Sequence, residues 1–195
     1  MTVRISIEGN IGAGKSTVLE KIKNEYTSVY QEPIDLWKNF NGINVLDVFY
    51  KDTERWGFLF ELFAMTSRID QFNKNENKIQ IYERCPETTK CFISLLNLTK
   101  LEKDLYEVLY KELEKSMQKI NYFIYIRTSP EVAYERIKKR NREEEDGISK
   151  EYIEALHKVH DDWLMDKKNV YVIDGDKSEH QIMTEVQKIL FLYSI

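Results

Sequence analysis

The sequence is poor in the residues that staple or punctuate a chain: 195 residues include 2 cysteines, 3 prolines, 7 glycines and 3 histidines. Cys85 and Cys91 match no metal-binding or redox spacing, which excludes a cysteine-based centre and points to a reduced, intracellular setting. No apolar run approaches the length that crosses a bilayer, and Met1 leads straight into a strand-like segment with no secretory signal ahead of it. Positive charge is also short. With 29 Lys and Arg against 33 Asp and Glu, the net charge is −4, which disfavours non-specific nucleic-acid binding. Internal repeats and low-complexity linkers are absent. These exclusions leave one well-buried domain over residues 1–195, expected in the cytoplasm with no nucleic-acid or membrane partner.

What is present is a regular alternation of short β-branched runs and longer helical patterns. Strands are expected at 3–7, 28–31, 79–82, 122–126 and 170–173, and helices near 14–25, 45–50, 53–73, 87–97, 101–119, 130–141, 149–165 and 178–191. That order predicts an α/β fold in which a parallel sheet of about five strands carries helices on both faces. Ligands in such sheets sit at the carboxyl ends of the strands, so the residues after each strand are the informative ones.

After the first strand comes Gly9-Asn10-Ile11-Gly12-Ala13-Gly14-Lys15-Ser16-Thr17, which fits G-x-x-x-x-G-K-[ST], the phosphate-wrapping P-loop. Its glycines let successive backbone N–H groups face inward, and the helix that follows adds its positive end. Lys15 would reach the outer phosphates and Ser16 would bind a magnesium ion. Strand before and helix after are the context this motif requires.

Glu32-Pro33 follows the second strand, with Trp37 beyond it. Pro33 holds Glu32 extended at the mouth of the sheet, where its carboxylate can accept a proton from an attacking hydroxyl or remain a solvated strand-end acid. Glu83-Arg84 follows the third strand. Glu83 is placed to hold magnesium, and Arg84 to stabilise a transferred phosphoryl group or clamp Glu32; a structural ion pair is the plainer alternative. Glu61 and Arg68, seven apart on one helix, either pair on the surface or meet a ligand. Arg136, Arg140 and Arg142 precede an acidic run that ends at Gly147, and beside a P-loop they read as a lid over about 136–148 hinged at that glycine. A solvated helix and an RNA-binding patch are the alternatives. His157 and His160 read as helix surface rather than a metal site. Asp174-Gly175-Asp176 reads either as the adenine end of a nucleotide site or as a turn. Of the 24 aromatic residues (12 Tyr, 9 Phe, 3 Trp), most must be core and some would wall a nucleobase pocket.

Taken together, these residues resemble the deoxynucleoside kinase family. The resemblance is carried by Gly9–Thr17, Glu32-Pro33 with Trp37, Tyr50-Lys51-Asp52, Arg55-Trp56, Phe60, Ser67-Arg68, Glu83-Arg84, and Arg136 through Trp163. It covers nearly the whole chain, whose compact length is similar to that of short viral members. The resemblance implies transfer of the ATP γ-phosphoryl group to the 5′-hydroxyl of a 2′-deoxynucleoside, with Mg2+ as cofactor, in a P-loop homodimer. It implies Glu32 as base, Arg84 as its partner and Glu83 as the acid near magnesium. Tyr50 and Glu145 would hold the 3′-hydroxyl, while Ile11, Trp37, Phe49 and Phe60, with Glu61, Arg68 and Tyr152, would form the nucleoside site. Two departures concern the base: Glu61 stands where the family usually has glutamine, and Cys85-Pro86 replaces a serine-led continuation. A nucleoside monophosphate kinase would need further basic residues for its acceptor phosphate. A GTPase would need [NT]-K-x-D, which Thr99-Lys100-Leu101-Glu102 only approaches.

Overall fold

The computed structural model describes residues 2–22, 27–72 and 77–193. Five strands, β1 (Val3–Glu8), β2 (Thr27–Tyr30), β3 (Ile79–Glu83), β4 (Tyr122–Arg127) and β5 (Val170–Asp174), form one sheet in the order β2-β3-β1-β4-β5. Every pairing is parallel, with Ile5 opposite Ile81 on one side of β1 and Tyr122 on the other. The strand order reverses around β1, so the crevice at its carboxyl end is the place for a ligand.

The period of two sorts each strand into unlike faces. Ile5, Ile7, Ile79, Ile81, Ile124, Ile126 and Ile173 form an aliphatic face. It packs on Val18, Leu19 and Ile22 of α1 (Lys15–Ile22) and on the carboxyl-terminal helix over Glu179–Phe191. The opposite face carries Tyr82, Phe123 and Tyr125. It also carries Ser6, Glu8 and Gln80, all buried. The sheet is covered on both sides, as the sequence predicts for a parallel sheet.

Between β2 and β3 lie α2 (Ile34–Lys38), α3 (Val45–Lys51) and α4 (Thr53–Phe72). The periodicity missed α2, whose five residues are too few to show one; Pro33 sits at its N-cap. After β3 the expected helix at 87–97 is a 3-10 turn (Pro86–Thr88) followed by α5 (Thr89–Ile93), because Pro86 delays the helical ladder. Next, α6 (Lys100–Glu114) starts at a Thr99–Glu102 capping box and stops short of the expected 119. The predicted helices at 14–25 and 53–73 extend into 23–25 and 73, outside the described residues.

After β4, α7 (Pro130–Arg140) begins with Ser129 as cap and Pro130 at its first position. It ends on Asn141 at φ 51°, a left-handed cap, and a 3-10 turn (Glu143–Glu145) leads to α8 (Lys150–Leu164). The left-handed turn that ends α7 is made by Asn141, and Gly147, read from the sequence as the lid's hinge, has no positive φ. The last helix, α9 (Glu179–Phe191), is capped by Ser178 and Gln181. Among the described residues no helix is long and apolar enough to cross a membrane.

Candidate active site

A cleft of about 240 Å3 opens at the carboxyl ends of β1, β2 and β3. Its floor is the Gly9–Thr17 loop. Gly12 has φ +77°, and a Cβ there would meet the carbonyl oxygen of Ala133 at 2.3 Å. Gly9, at φ +148°, would meet that of Ile126 at 2.6 Å. Both positions therefore admit only glycine. Asn10 ties the loop to α8, its Nδ2 donating to Ile153 O at 2.8 Å. Lys15 Nζ donates to Asn10 O (2.8 Å) and Gly9 O (3.3 Å). Burial, with the positive charge of Arg84, draws the Lys15 ammonium down to a pKa of about 7 against the nearby carboxylates.

Glu32, Glu83 and Arg84 meet above the loop. Ser16 Oγ donates to Glu83 Oε1 at 2.6 Å, and the Glu32 amide faces Glu83 Oε2 at 3.4 Å. The Glu32 carboxylate takes Arg68 Nη2 at 2.7 Å and Arg84 Nε at 3.3 Å on one oxygen. Burial pushes its pKa up, but Arg68, Arg84 and Lys15 together outweigh burial and hold it below the usual range. Arg84 has φ 61°, a conformation that a non-glycine residue keeps only when its surroundings impose it. The bond from its amide to Ile7 O (3.1 Å) is part of that frame. Its Nη1 lies 3.2 Å from His160 Nε2. A guanidinium only donates, so Nε2 accepts and the ring proton sits on Nδ1, which donates to Leu156 O at 2.8 Å. Burial and Arg84 keep His160 neutral, with its pKa drawn down to about 3. His160 is fully buried, which corrects the expectation of a surface histidine.

One end of the cleft is aromatic. Phe49 stacks on Phe60 with centroids 4.5 Å apart, and Trp37 meets Phe60 edge-on at 5.5 Å. Trp37 Nε1 donates to Ser67 Oγ at 3.1 Å, which fixes the indole. Glu61 and Arg68 are both buried and both line the cleft. They do not pair on a surface: Arg68 reaches Glu32 and, through Nη1, Thr89 Oγ1 at 2.9 Å. Thr89 was not singled out in the sequence, and only its place at the start of α5 gives it this contact.

The lid residues divide. Arg140 and Arg142 line the cleft beside Tyr50 and Glu145, and Arg140 Nη2 donates to both Glu145 oxygens at 2.7 and 2.5 Å. Glu144 binds Lys38 (2.8 Å) and Asn44 (3.0 Å), joining the lid to α2 and the start of α3. Its hydrogen bond from Lys38 draws its pKa down to about 2. Arg136 points elsewhere, donating to Gly175 O at 2.9 Å beside a second hollow formed with Gly12, Gly14 and Thr17. Tyr152 lies outside the cleft lining, packed among Ile11 and Ile153. Ile11, Gly12, Gly14, Lys15, Ser16 and Thr17 line the cleft itself, whereas Gly9, Asn10 and Ala13 support it from below.

The strand order and the loop together define a P-loop NTPase fold. The model of the deoxynucleoside kinase family matches residues 5–191, and the chain belongs to that family. It is an enzyme that phosphorylates deoxynucleosides. It is similar to a probable deoxycytidine kinase of fowlpox virus, 37% identical over 196 residues, covering 95% of this chain and 77% of that one. Mitochondrial thymidine kinase 2 of Homo sapiens is 34% identical over 171 residues, covering 83% of this chain and 64% of that enzyme. A putative kinase protein of invertebrate iridescent virus 6 is 35% identical over 196 residues, covering 96% and 95%.

Proposed function

We propose that the chain transfers the γ-phosphoryl group of ATP to the 5′-hydroxyl of a 2′-deoxynucleoside, with Glu32 as the base. The observation that carries this reading is the Glu32 carboxylate, fixed by Arg68 and Arg84 between the Gly9–Thr17 loop and the aromatic end of the same cleft. A hydroxyl donating to Glu32 faces the end of the loop. As its oxygen bonds to phosphorus and the bond to the departing ADP breaks, its proton passes to Glu32. The depressed basicity of Glu32 is tolerable because the transition state is loose and the proton leaves late; orientation contributes more than base strength. Lys15, Arg140 and Arg142 line the cleft where charge spreads over the phosphoryl oxygens. Tyr50 and Glu145, which line the same cleft, would hold the 3′-hydroxyl.

Ser16 and Glu83 offer adjacent hydroxyl and carboxylate oxygens, the hard donors that Mg2+ takes, so these residues fit the ion and would hold it. Held by Ser16 and Glu83, the ion would supply positive charge to offset that of the phosphate oxygens. Arg136 and its hollow beside the loop belong to the ATP side. We assign deoxycytidine and thymidine among the substrates, the bases named for the fowlpox and human relatives. The family's homodimer is supported by α6, which exposes Leu101, Leu105, Val108 and Leu109 along one stripe. Sedimentation of a Val108→Glu variant as a monomer would check that face.

The test is Glu32→Gln. Nucleoside binding should persist while kcat falls by about 10²–10⁴, the range that general base catalysis supplies. A variant retaining a third or more of wild-type kcat would refute the assignment.

A further inference from the structure

Two torsions aim the Arg84 side chain, and the left-handed φ of 61° is one that its neighbours must impose. The last two residues of β1 pin the amides on either side of it. The Arg84 N–H donates to Ile7 O at 3.1 Å, and the Cys85 N–H donates to Glu8 Oε1 at 2.9 Å. The first anchor is a main-chain carbonyl, which any residue at position 7 supplies. The second needs a side-chain acceptor, and no step of the phosphoryl transfer above uses Glu8.

The Glu8 carboxyl is fully buried and held from several sides. Ser6, on the same face of β1, donates its Oγ to Oε1 at 2.6 Å, and Thr88 Oγ1 lies 2.9 Å from both oxygens. Glu8 therefore ties down both ends of the 3-10 turn over Pro86–Thr88, through the amide before it and the hydroxyl that closes it. The residues just outside those two ties are the ones that reach Glu32. Arg84, one before Cys85, brings its Nε to 3.3 Å from the Glu32 carboxylate. Thr89, one after Thr88, accepts Arg68 Nη1 at 2.9 Å, while Arg68 Nη2 meets the same Glu32 oxygen at 2.7 Å. Both guanidinium groups on Glu32 thus take their places from the segment 84–89. Burial pushes the Glu8 carboxyl up against the opposing charge of Arg84, and an apolar residue would pack beside Tyr125 of β4 at less cost. What the carboxyl contributes in return is the turn. We propose that Glu8 is a positioning residue: through the Cys85 amide and the Thr88 hydroxyl it sets the two guanidinium groups that hold Glu32 at the end of the phosphate loop. The inference rests on the reading of Glu32 as the base and deepens it.

The experiment compares Glu8→Ala, Thr88→Val and Thr88→Ser in the full chain. Thr88→Val keeps volume and charge and deletes one hydroxyl, so kcat should fall about three- to tenfold, the worth of one hydrogen bond. Thr88→Ser restores the hydroxyl and should bring kcat back to within about twofold of wild type. Glu8→Ala frees the whole turn and should lower kcat by about 10–10², the loss expected when reacting groups drift by about an ångström. Nucleoside affinity should change by less than about threefold in each variant. The readout that a purely structural role would not move is the titration of Glu32, followed by its carboxyl carbon-13 resonance and assigned with Glu32→Gln. Against burial, Arg68 and Arg84 hold that pKa low, so it should rise towards the ordinary carboxylate value in Glu8→Ala and Thr88→Val. In a Glu32→Gln background, Thr88→Val should lower kcat by less than about a further twofold, because the clamp then has no carboxylate to hold. An unmoved Glu32 titration in these variants would overturn the proposal. Where Glu32→Gln lowers kcat, an equal loss from Thr88→Val with and without the Glu32 carboxylate would overturn it too. Should Glu8→Ala not fold, Thr88→Val decides alone. The base reading fails separately: if Glu32→Gln turns over near the wild-type rate, that reading falls, while the Glu32 titration, read without turnover, still decides this one.

Discussion

At the loop end of the cleft, the lining comes mainly from one nine-residue loop, six of whose residues face the cleft, and what matters is backbone direction: positive φ at Gly9, Gly12 and Gly14, with Lys15 folded over the Gly9 and Asn10 carbonyls. At the aromatic end, Trp37 comes from α2, Phe49 from α3, Phe60, Glu61 and Arg68 from α4, and Phe92 from α5. A surface made of backbone cannot be tuned one group at a time, whereas one made of side chains from four helices can be altered at a single position. Chemistry common to all substrates is therefore expected to depend on the first end, and substrate choice on the second. Glu32 and Arg84 lie where the two meet, and the lid contributes Glu145 to the cleft lining while Glu144 ties it to Lys38 of α2.

The largest separation between the ends should come from the lid. Arg142→Ala removes a cation that lines the cleft and lies 3.5 Å from Glu145. We expect kcat to fall by about 10²–10³, the usual loss for one preorganised donor at a developing charge. Nucleoside affinity, set at the other end, should change less than about threefold, since a transition-state contact leaves ground-state binding alone. Single-turnover kinetics beside equilibrium nucleoside binding would check it; equal losses in both would place Arg142 in nucleoside binding instead.

A smaller effect, confined to the floor, is expected for Gly12→Ala. The added Cβ would sit 2.3 Å from a main-chain carbonyl at φ +77°, and neither can yield without moving α7. Stability should fall by about 1–3 kcal/mol from backbone strain, and the KM for ATP should rise while nucleoside affinity holds. Chemical denaturation and isothermal titration read the two parts. An unchanged ATP KM would mean that the loop tolerates a side chain there.

The same contrast explains what the sequence made legible. The loop was readable because its residues are contiguous and its spacing is dictated by the backbone. The sheet was readable because buried parallel strands need apolar runs of a length few other elements use. The short α2 and the break before α5 were not, since five residues carry no helical period and Pro86 shifts a boundary without changing composition. Glu61 and Arg68 were visible as a pair on one helix, yet pattern could not say that Arg68 turns to Glu32, because that choice is made by the strand end it packs against. Tyr152 and Arg136 share a face or a cluster with site residues in sequence, but only the fold shows that α8 packs Tyr152 with Ile11 and that α7 carries Arg136 to Gly175, beside the hollow next to the loop. Glu8 carries no distinguishing signal in the sequence. A carboxyl inside a strand is ordinarily a solvated residue, but here it is fully buried and accepts from Ser6, Cys85 and Thr88.

His160 was misread for the same reason, and it provides the finest test of the junction between the two ends. It receives Arg84 Nη1 from within the core, so it holds Arg84 without lining the cleft. Its folded pKa of about 3 lies below the ordinary value of 6.5, so the unfolded chain binds the extra proton. The stability that neutral burial requires is then complete above about pH 6.5 and declines by about 1.4 kcal/mol per pH unit as pH falls towards the folded value. His160→Gln can still offer Arg84 an acceptor and has no proton to gain. The stability gap between wild type and variant should therefore shrink by about 1 kcal/mol between about pH 6.5 and about pH 5.5, read from urea midpoints. The variant should also lose kcat by less than about tenfold, with nucleoside affinity unchanged, as expected for a residue that positions Arg84 through a single hydrogen bond. A gap that stays constant with pH would show that His160 is already charged in the folded protein, and Arg84 would then have to be held by other contacts.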